Sequence, residues 1–183
     1  QNKIKDLNAC DFGDLLLYCV KLFEEHKDIR DIYRKNFKYI LVDEYQDTNF
    51  IQNKWLNLLV NEKKNICCVG DDDQSIYSWR GAEIKNFLTF DKIYDNCKIF
   101  KLEQNYRSTK NILATASSII SNNDKRMGKS LWSSSDQGEL VKLNCYQNGK
   151  EEAEGISDTI EHNLKKKYSL NNISILVRAI YQT

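Results

Sequence analysis

Proline is missing altogether from the 183 residues, where average usage of ~5% would supply about nine. With the many Lys, Asn and Ile residues, this points to an AT-rich coding genome rather than to a structural adaptation. No run approaches the ~18 consecutive apolar residues that a membrane span needs. The opening Gln1-Asn2-Lys3-Ile4-Lys5-Asp6 has no apolar signal core and no initiator Met, so the chain is expected to begin inside a longer protein or after processing. The net charge of +1 gives no bulk attraction to nucleic acid, so any basic binding surface must be local. None of the six cysteines (Cys10, Cys19, Cys67, Cys68, Cys97 and Cys145) forms a C-x-x-C pair, and His26 and His162 lack ligand-spaced partners. Structural zinc is therefore not expected, and free thiols in a reducing cytosol are.

What is present suits a packed protein, with 41% hydrophobic and 29% charged residues. Phe12, Leu15, Leu16, Cys19, Val20 and Phe23 mark a helix over residues 11–25, with Asp11 as its N-cap. A short helix over 28–36 follows. Phe37 to Val42 reads as a strand ending in acids. Residues 49–60 return to helical spacing, and Ile66 to Gly70 reads as a buried strand. A helix over 83–90 comes next, and a weak boundary falls between residues 91 and 98. Beyond it the pattern predicts strands at 99–102, 140–146 and 173–177 and helices at 108–121 and 151–166. Alternating strands and helices imply an α/β fold with a parallel sheet, whose ligands bind beyond the carboxyl ends of the strands.

Three strings carry the chemistry. In the first, Ile40-Leu41-Val42-Asp43-Glu44-Tyr45-Gln46-Asp47-Thr48-Asn49, an apolar strand delivers Asp-Glu to its carboxyl end. This is the Walker B arrangement: the first acid holds Mg²⁺ and the second activates a water for attack on a γ-phosphate. A solvated acidic loop also accounts for Asp-Glu taken alone. The second string, Val69-Gly70-Asp71-Asp72-Asp73-Gln74-Ser75-Ile76-Tyr77-Ser78-Trp79-Arg80-Gly81-Ala82, places aromatics beside an arginine after an acidic loop. That combination suits stacking on exposed bases near a phosphate, but taken by itself it suits aromatics packed into a core better. The third, Lys101-Leu102-Glu103-Gln104-Asn105-Tyr106-Arg107-Ser108-Thr109, opens a helix with Ser108 or Thr109 as cap. An ion pair on the surface is the simplest role for Arg107 by itself.

Together the strings resemble the motifs of UvrD/Rep/PcrA-type DNA helicases, with Tyr45 where that family more often has Phe. The resemblance extends to Asp11-Phe12-Gly13-Asp14-Leu15-Leu16, to the loop Asn122 to Trp132 and to Ile173 to Arg178, and so spans the chain. It implies two partial RecA-like lobes of the P-loop NTPase type, residues 1–96 from the first motor domain and 97–183 from the second. It also implies ATP and Mg²⁺ as cofactors, single-stranded DNA and DNA junctions as partners, and 3′ to 5′ movement. By the same resemblance Asp43 holds Mg²⁺ and Glu44 polarises the attacking water. Gln74 touches the γ-phosphate, and Arg107 is the arginine finger. Tyr106 packs on the adenine, while Tyr77, Trp79 and Arg80 face DNA, with Trp79 as the base-stacking platform. Lys125, Arg126 and Lys129 can meet DNA phosphates or form a solvated basic loop. The family's setting is the bacterial cytoplasm, with the enzyme on the nucleoid.

Gly128-Lys129-Ser130 imitates the end of a P-loop, but Asn123 stands where G-x-x-x-x-G-K-[ST] needs its first glycine, and a helix precedes it. The P-loop of a whole helicase is therefore expected upstream of residue 1, and its last arginine motif downstream of Thr183. Three other readings remain: the motor part of a helicase–nuclease subunit, a degenerate DNA-binding remnant, and a metal-dependent nuclease using the acids at 43, 44, 47 and 71 to 73. Asp73 and Trp79 disfavour the first, where Lys and Phe are usual.

Overall fold

The computed structural model describes residues 2–124 and 126–179. It divides into two compact units, Gln1–Gly138 and Glu139–Thr183. In the first, helices α1 (Asn2–Asp6), α2 (Phe12–Glu25) and α3 (Lys27–Asn36) lead into strand β1 (Ile40–Val42). Helix α4 (Phe50–Leu59), strand β2 (Ile66–Cys68), the short helices α5 (Ile84–Leu88) and α6 (Phe90–Ile93), and α7 (Lys110–Ile120) follow.

Local chemistry sets the helix starts. Asp11 caps α2, accepting the Asp14 N–H at 2.8 Å while the Asp14 carboxylate accepts the Asp11 N–H at 3.3 Å. Asn49 and Gln52 repeat this reciprocal pair at α4, at 2.9 and 3.0 Å. Each box satisfies two backbone donors that the first helical turn leaves free. Helix α2 packs on α3 and α4, burying Val20 and Phe23 with Leu56, Leu59 and Val60. Each such side chain contributes roughly 1.5–3 kcal/mol when fully buried. Tyr33 lays its ring 5.3 Å from that of Phe23.

Strands β1 and β2 pair in parallel, Ile40 with Ile66, Leu41 with Cys67 and Val42 with Cys68. Helix α4 makes the crossover between them, as a parallel pair requires. Ile66 to Gly70 does not form the fully buried strand that its apolar run predicts. Strand β2 alternates, with Cys67 exposed and Ile66 and Cys68 half-buried. Its partner β1 does the same, leaving Leu41 outward. Successive strand residues face opposite ways, and only one face of this two-stranded sheet is covered. Burial pushes the Cys68 thiol up to about 12, with smaller contributions from Cys67 and Cys97. All six cysteines are free.

The expected helix over 83–90 is broken at Thr89 into α5 and α6. The Thr89 hydroxyl and N–H both bond the Lys85 carbonyl, at 2.8 and 3.0 Å, which closes the turn on itself. The expected strands at 99–102, 140–146 and 173–177 do not form among the described residues. A strand exists through its ladder, and these segments have no ladder partner. Phe100, Leu102, Leu143 and Leu176 accordingly stand in solvent. Beyond the β1–β2 sheet, the described residues form two isolated bridges, antiparallel between Asn49 and Ala82 and parallel between Gln104 and Trp132. The fold observed is thus mixed α/β with one small parallel sheet. In the second unit, α8 (Gly149–Lys165) is capped by Asn148, and the hydroxyl end of Tyr146 occupies the space beside Gly155, which has no side chain.

Candidate nucleotide and nucleic-acid site

Parallel pairing puts the ends of β1 and β2 side by side, so the acids after Val42 and the turn after Gly70 share one edge of the sheet. The Val69 N–H donates to the Val42 carbonyl at 2.8 Å and the Tyr45 N–H to the Val69 carbonyl at 3.0 Å, extending the ladder past the strands. Asp43 and Glu44 are exposed at this edge. One Asp43 oxygen accepts the Glu44 N–H at 2.9 Å. Glu44 is in the left-handed region, φ 49° and ψ 42°, a conformation costing an L-residue about 1–2 kcal/mol. A tight turn into residues 45–47 follows it.

That turn is held from beneath by buried polar groups. Tyr45 is 1% exposed and its hydroxyl donates to Asn53 Oδ1 at 2.8 Å. Asn53 in turn donates to Asn86 Oδ1 at 3.1 Å, and Asn86 donates to the Thr48 carbonyl at 3.3 Å. Burial raises the Tyr45 hydroxyl well above its ordinary value, so it stays a neutral donor. Phe87 and Phe90 flank the ring at 6.4 and 5.5 Å.

Gln46 has no individual role in the sequence reading, yet it joins the two loops. It is 1% exposed. Its amide donates to Glu44 Oε2 at 2.7 Å, and its carbonyl oxygen accepts the Asp71 N–H at 3.0 Å. Only its place inside the Asp-Glu-Tyr-Gln string signals this, because a glutamine has no periodicity of its own.

Asp71 opens a short turn over Asp72–Gln74 and accepts the Asp73 N–H at 3.0 Å. Gln74 is exposed and donates its amide to Asp71 Oδ2 at 2.8 Å. Glu44, Gln46, Asp71 and Gln74 thus form a continuous hydrogen-bonded series. Asp71, Asp72 and Asp73 gather carboxylate oxygens within 4.8 Å of one another. Cations already answer them: Arg126 forks onto Asp73 at 2.9 and 2.6 Å, and Lys129 pairs with Asp71 and, at 3.6 Å, with Asp73. The Met127 N–H donates to Asp72 at 2.6 Å. Burial alone raises the Asp71 carboxyl, and the bonds from Lys129 and Gln74 reverse this, leaving it below the ordinary aspartate value. Arg126 and Lys129 therefore do not form the free basic loop that their composition permits. Lys125 lies outside the described residues.

Downstream, half-buried Tyr77 and exposed Trp79 and Arg80 form one cluster. Trp79 is 73% exposed, with its ring 6.4 Å from that of Tyr77. The Arg80 guanidinium lies over both rings, at 4.7 Å from Trp79 and 5.0 Å from Tyr77. Tyr106 and Arg107 stand in the turn before α7, both exposed. Asn105 Oδ1 shapes that turn by accepting the Arg107 and Ser108 N–H groups at 2.9 and 2.8 Å. Thr109 is the N-cap residue, though its side chain makes no capping bond. Among the described residues, no hydrogen bond or ion pair joins Tyr106 or Arg107 to Asp43, Glu44 or Gln74. The structure joins the Asp-Glu and Gln74 loops through Gln46.

A strand-end Asp-Glu is thus coupled through Gln46 to an acidic, glutamine-bearing turn. Residues 1–95 match the family described as UvrD/REP helicase N-terminal domain, and residues 100–183 the UvrD-like helicase C-terminal domain. The chain belongs to the UvrD/Rep helicase family. It is 51% identical over 177 residues to a probable DNA helicase II homolog of Rickettsia conorii, covering 96% of this chain and 27% of that protein. It is 43% identical over 187 residues to the ATP-dependent DNA helicase PcrA of Bacillus subtilis, covering 100% of this chain and 25% of that protein. The chain therefore spans about a quarter of the length of the curated relatives it matches.

Proposed function

We propose that this chain is part of an ATP-driven DNA helicase, coupling hydrolysis to movement along single-stranded DNA. Residues 1–96 belong to the first of two RecA-like lobes and 97–183 to the second, with direction 3′ to 5′ and work in repair or replication at DNA junctions. The family and its named relatives support the class. The observation that carries the reading is Gln46, which ties the Glu44 carboxylate to the turn bearing Gln74, so base and phosphate sensor move as one unit.

Asp43 suits Mg²⁺, a hard cation bound through one or two carboxylates plus phosphate oxygens. It is exposed at the strand end, where its Oδ1 accepts the Glu44 N–H. The ion would neutralise charge on the β- and γ-phosphates. Glu44 accepts the proton of the attacking water. The Gln46 amide holds one Glu44 oxygen and leaves the other for that task. Gln74 meets the γ-phosphate, Tyr106 stacks on adenine, and Arg107 offsets transition-state charge when the lobes close. Tyr77, Trp79 and Arg80 meet the strand, because an exposed ring with a guanidinium over it offers both a stacking face and a phosphate contact.

The paired state of the three aspartates favours this reading over a metal-dependent nuclease, since Arg126 and Lys129 already occupy the carboxylates such a site would use. The test is Glu44→Gln in the full-length protein. Nucleotide binding should persist while DNA-stimulated turnover falls by ~10²–10⁴, the usual loss with a general base. Turnover within a few-fold of wild type removes Glu44 from this role.

A further inference from the structure

The basic loop 126–129 has no part in the reaction as read above, yet it makes the most enclosed ion pairs described in the chain. It lies in the segment matching the C-terminal domain, and the acids it holds lie in the segment matching the N-terminal domain. Its far side is fastened as well. Lys101 Nζ donates to the Gly128 carbonyl at 2.7 Å, and the Ser130 N–H donates to Glu103 Oε1 at 2.9 Å. Lys101 and Glu103 belong to the stretch that leads directly into Tyr106 and Arg107. Gly128 turns the loop at φ 68°, in the left-handed region that glycine enters without strain.

We propose that Lys129 and Arg126 are positioning residues for the γ-phosphate sensor, holding Gln74 in place through Asp71 and Asp73. The proposal rests on the reading of Gln74 as that sensor. An amide nitrogen carries two hydrogens. Gln74 spends one on Asp71 Oδ2, which leaves the second for a phosphate oxygen. Asp71 can orient Gln74 only if its own carboxylate is fixed, and Lys129 and the Asp73 N–H fix it from the Oδ1 side.

Three carboxylates within 4.8 Å repel one another, and they would also repel a triphosphate. Two cations and the Met127 N–H offset most of that charge. Arg126 is suited to its place because its planar fork meets both oxygens of Asp73 at once. Side chains of the second domain thereby determine whether a side chain of the first is ready to read ATP. This gives the motor a link between its domains besides an arginine finger.

The experiment is a double-mutant cycle in the full-length protein, following kcat and KM for ATP with saturating single-stranded DNA. Lys129→Met keeps the alkyl stem and removes the charge. It should lower kcat roughly ten- to hundred-fold, the range for one lost charge-assisted hydrogen bond, with KM changed much less. Lys129→Arg should restore most of the rate. Lys129→Met added to Gln74→Ala should lower kcat no further, because a positioning residue has no effect once its target is gone. Full additivity of the two losses overturns the proposal. So does normal turnover in Lys129→Met beside a defective Gln74→Ala, and in that case the sensor reading survives. Normal turnover in Gln74→Ala overturns the sensor reading and the proposal together.

Discussion

Gln46 occupies the space that a side chain on Gly70 would need: a β-carbon there would lie 2.5 Å from Gln46 Oε1 and 2.8 Å from the Phe87 ring. The glycine at the end of β2 lets the glutamine after β1 reach across and join the two loops. This crossing is why the Asp-Glu turn and the Gln74 turn behave as one structure.

Gly70→Ala should therefore push Gln46 and Phe87 aside and destabilise the protein by ~1–3 kcal/mol, as overpacking commonly does. Gln46→Leu keeps the volume but leaves the Asp71 N–H without its partner, for ~1–3 kcal/mol. Both should lower ATP turnover more than ATP binding. Melting curves and steady-state kinetics on the same preparations decide this. Unchanged stability in both variants would mean that the crossing contributes nothing.

Trp79→Ala should weaken single-stranded DNA binding by ~1–3 kcal/mol, largely independent of base sequence, because every base offers a π-face. Trp79 is 73% exposed, so thermal stability should hardly change. Fluorescence anisotropy with oligonucleotides of different composition measures the first quantity, and calorimetry the second. Full DNA affinity in Trp79→Ala would remove the stacking role.

Arg107→Ala should sharply reduce ATP turnover and unwinding, since arginine fingers contribute ~10³–10⁵ in rate. Nucleotide-free DNA binding should stay nearly intact. Arg107→Lys should rescue poorly, because an ammonium cannot reproduce the planar fork. If DNA binding falls while turnover survives, Arg107 contacts the strand and not the nucleotide.

Asp71 supplies a pH signature. Its folded value lies below the ordinary aspartate value because Lys129 and Gln74 outweigh the opposing effect of burial. A depressed carboxyl contributes stability that is present above the unfolded value of ~3.9 and lost as pH falls through the lower folded value. The stability gap between wild type and Asp71→Asn should therefore be full at neutral pH and close only in strong acid. In Lys129→Met the Asp71 carboxyl should titrate higher than in wild type, since burial then meets less opposition. Carboxyl carbon NMR of the side chain reads both midpoints. An unmoved midpoint in Lys129→Met would show that the pair does not exist in solution.

Local features were legible in the residues. Asp11 and Asn49 cap their helices because short polar side chains at those places have no better partner than the first-turn N–H groups. Strands β1 and β2 follow from apolar runs ending in acids. The three functional strings stand out because each mixes residue types that a plain core or surface segment does not need. Their resemblance to one helicase family was readable before any coordinate, and the family match bears it out.

What needed tertiary structure was every relation between distant residues. An apolar run at 99–102 or 140–146 has strand composition, but a strand requires a partner backbone, and no run specifies its own. Gln46 is an unremarkable polar residue until β1 and β2 pair and bring Asp71 within reach of its carbonyl oxygen. Arg126 and Lys129 read as a solvated basic loop because charge in a sequence shows no distance, and Coulomb attraction depends on distance. Only folding places them against Asp71 and Asp73, more than fifty residues away in the chain, where low solvent access makes the pairing strong.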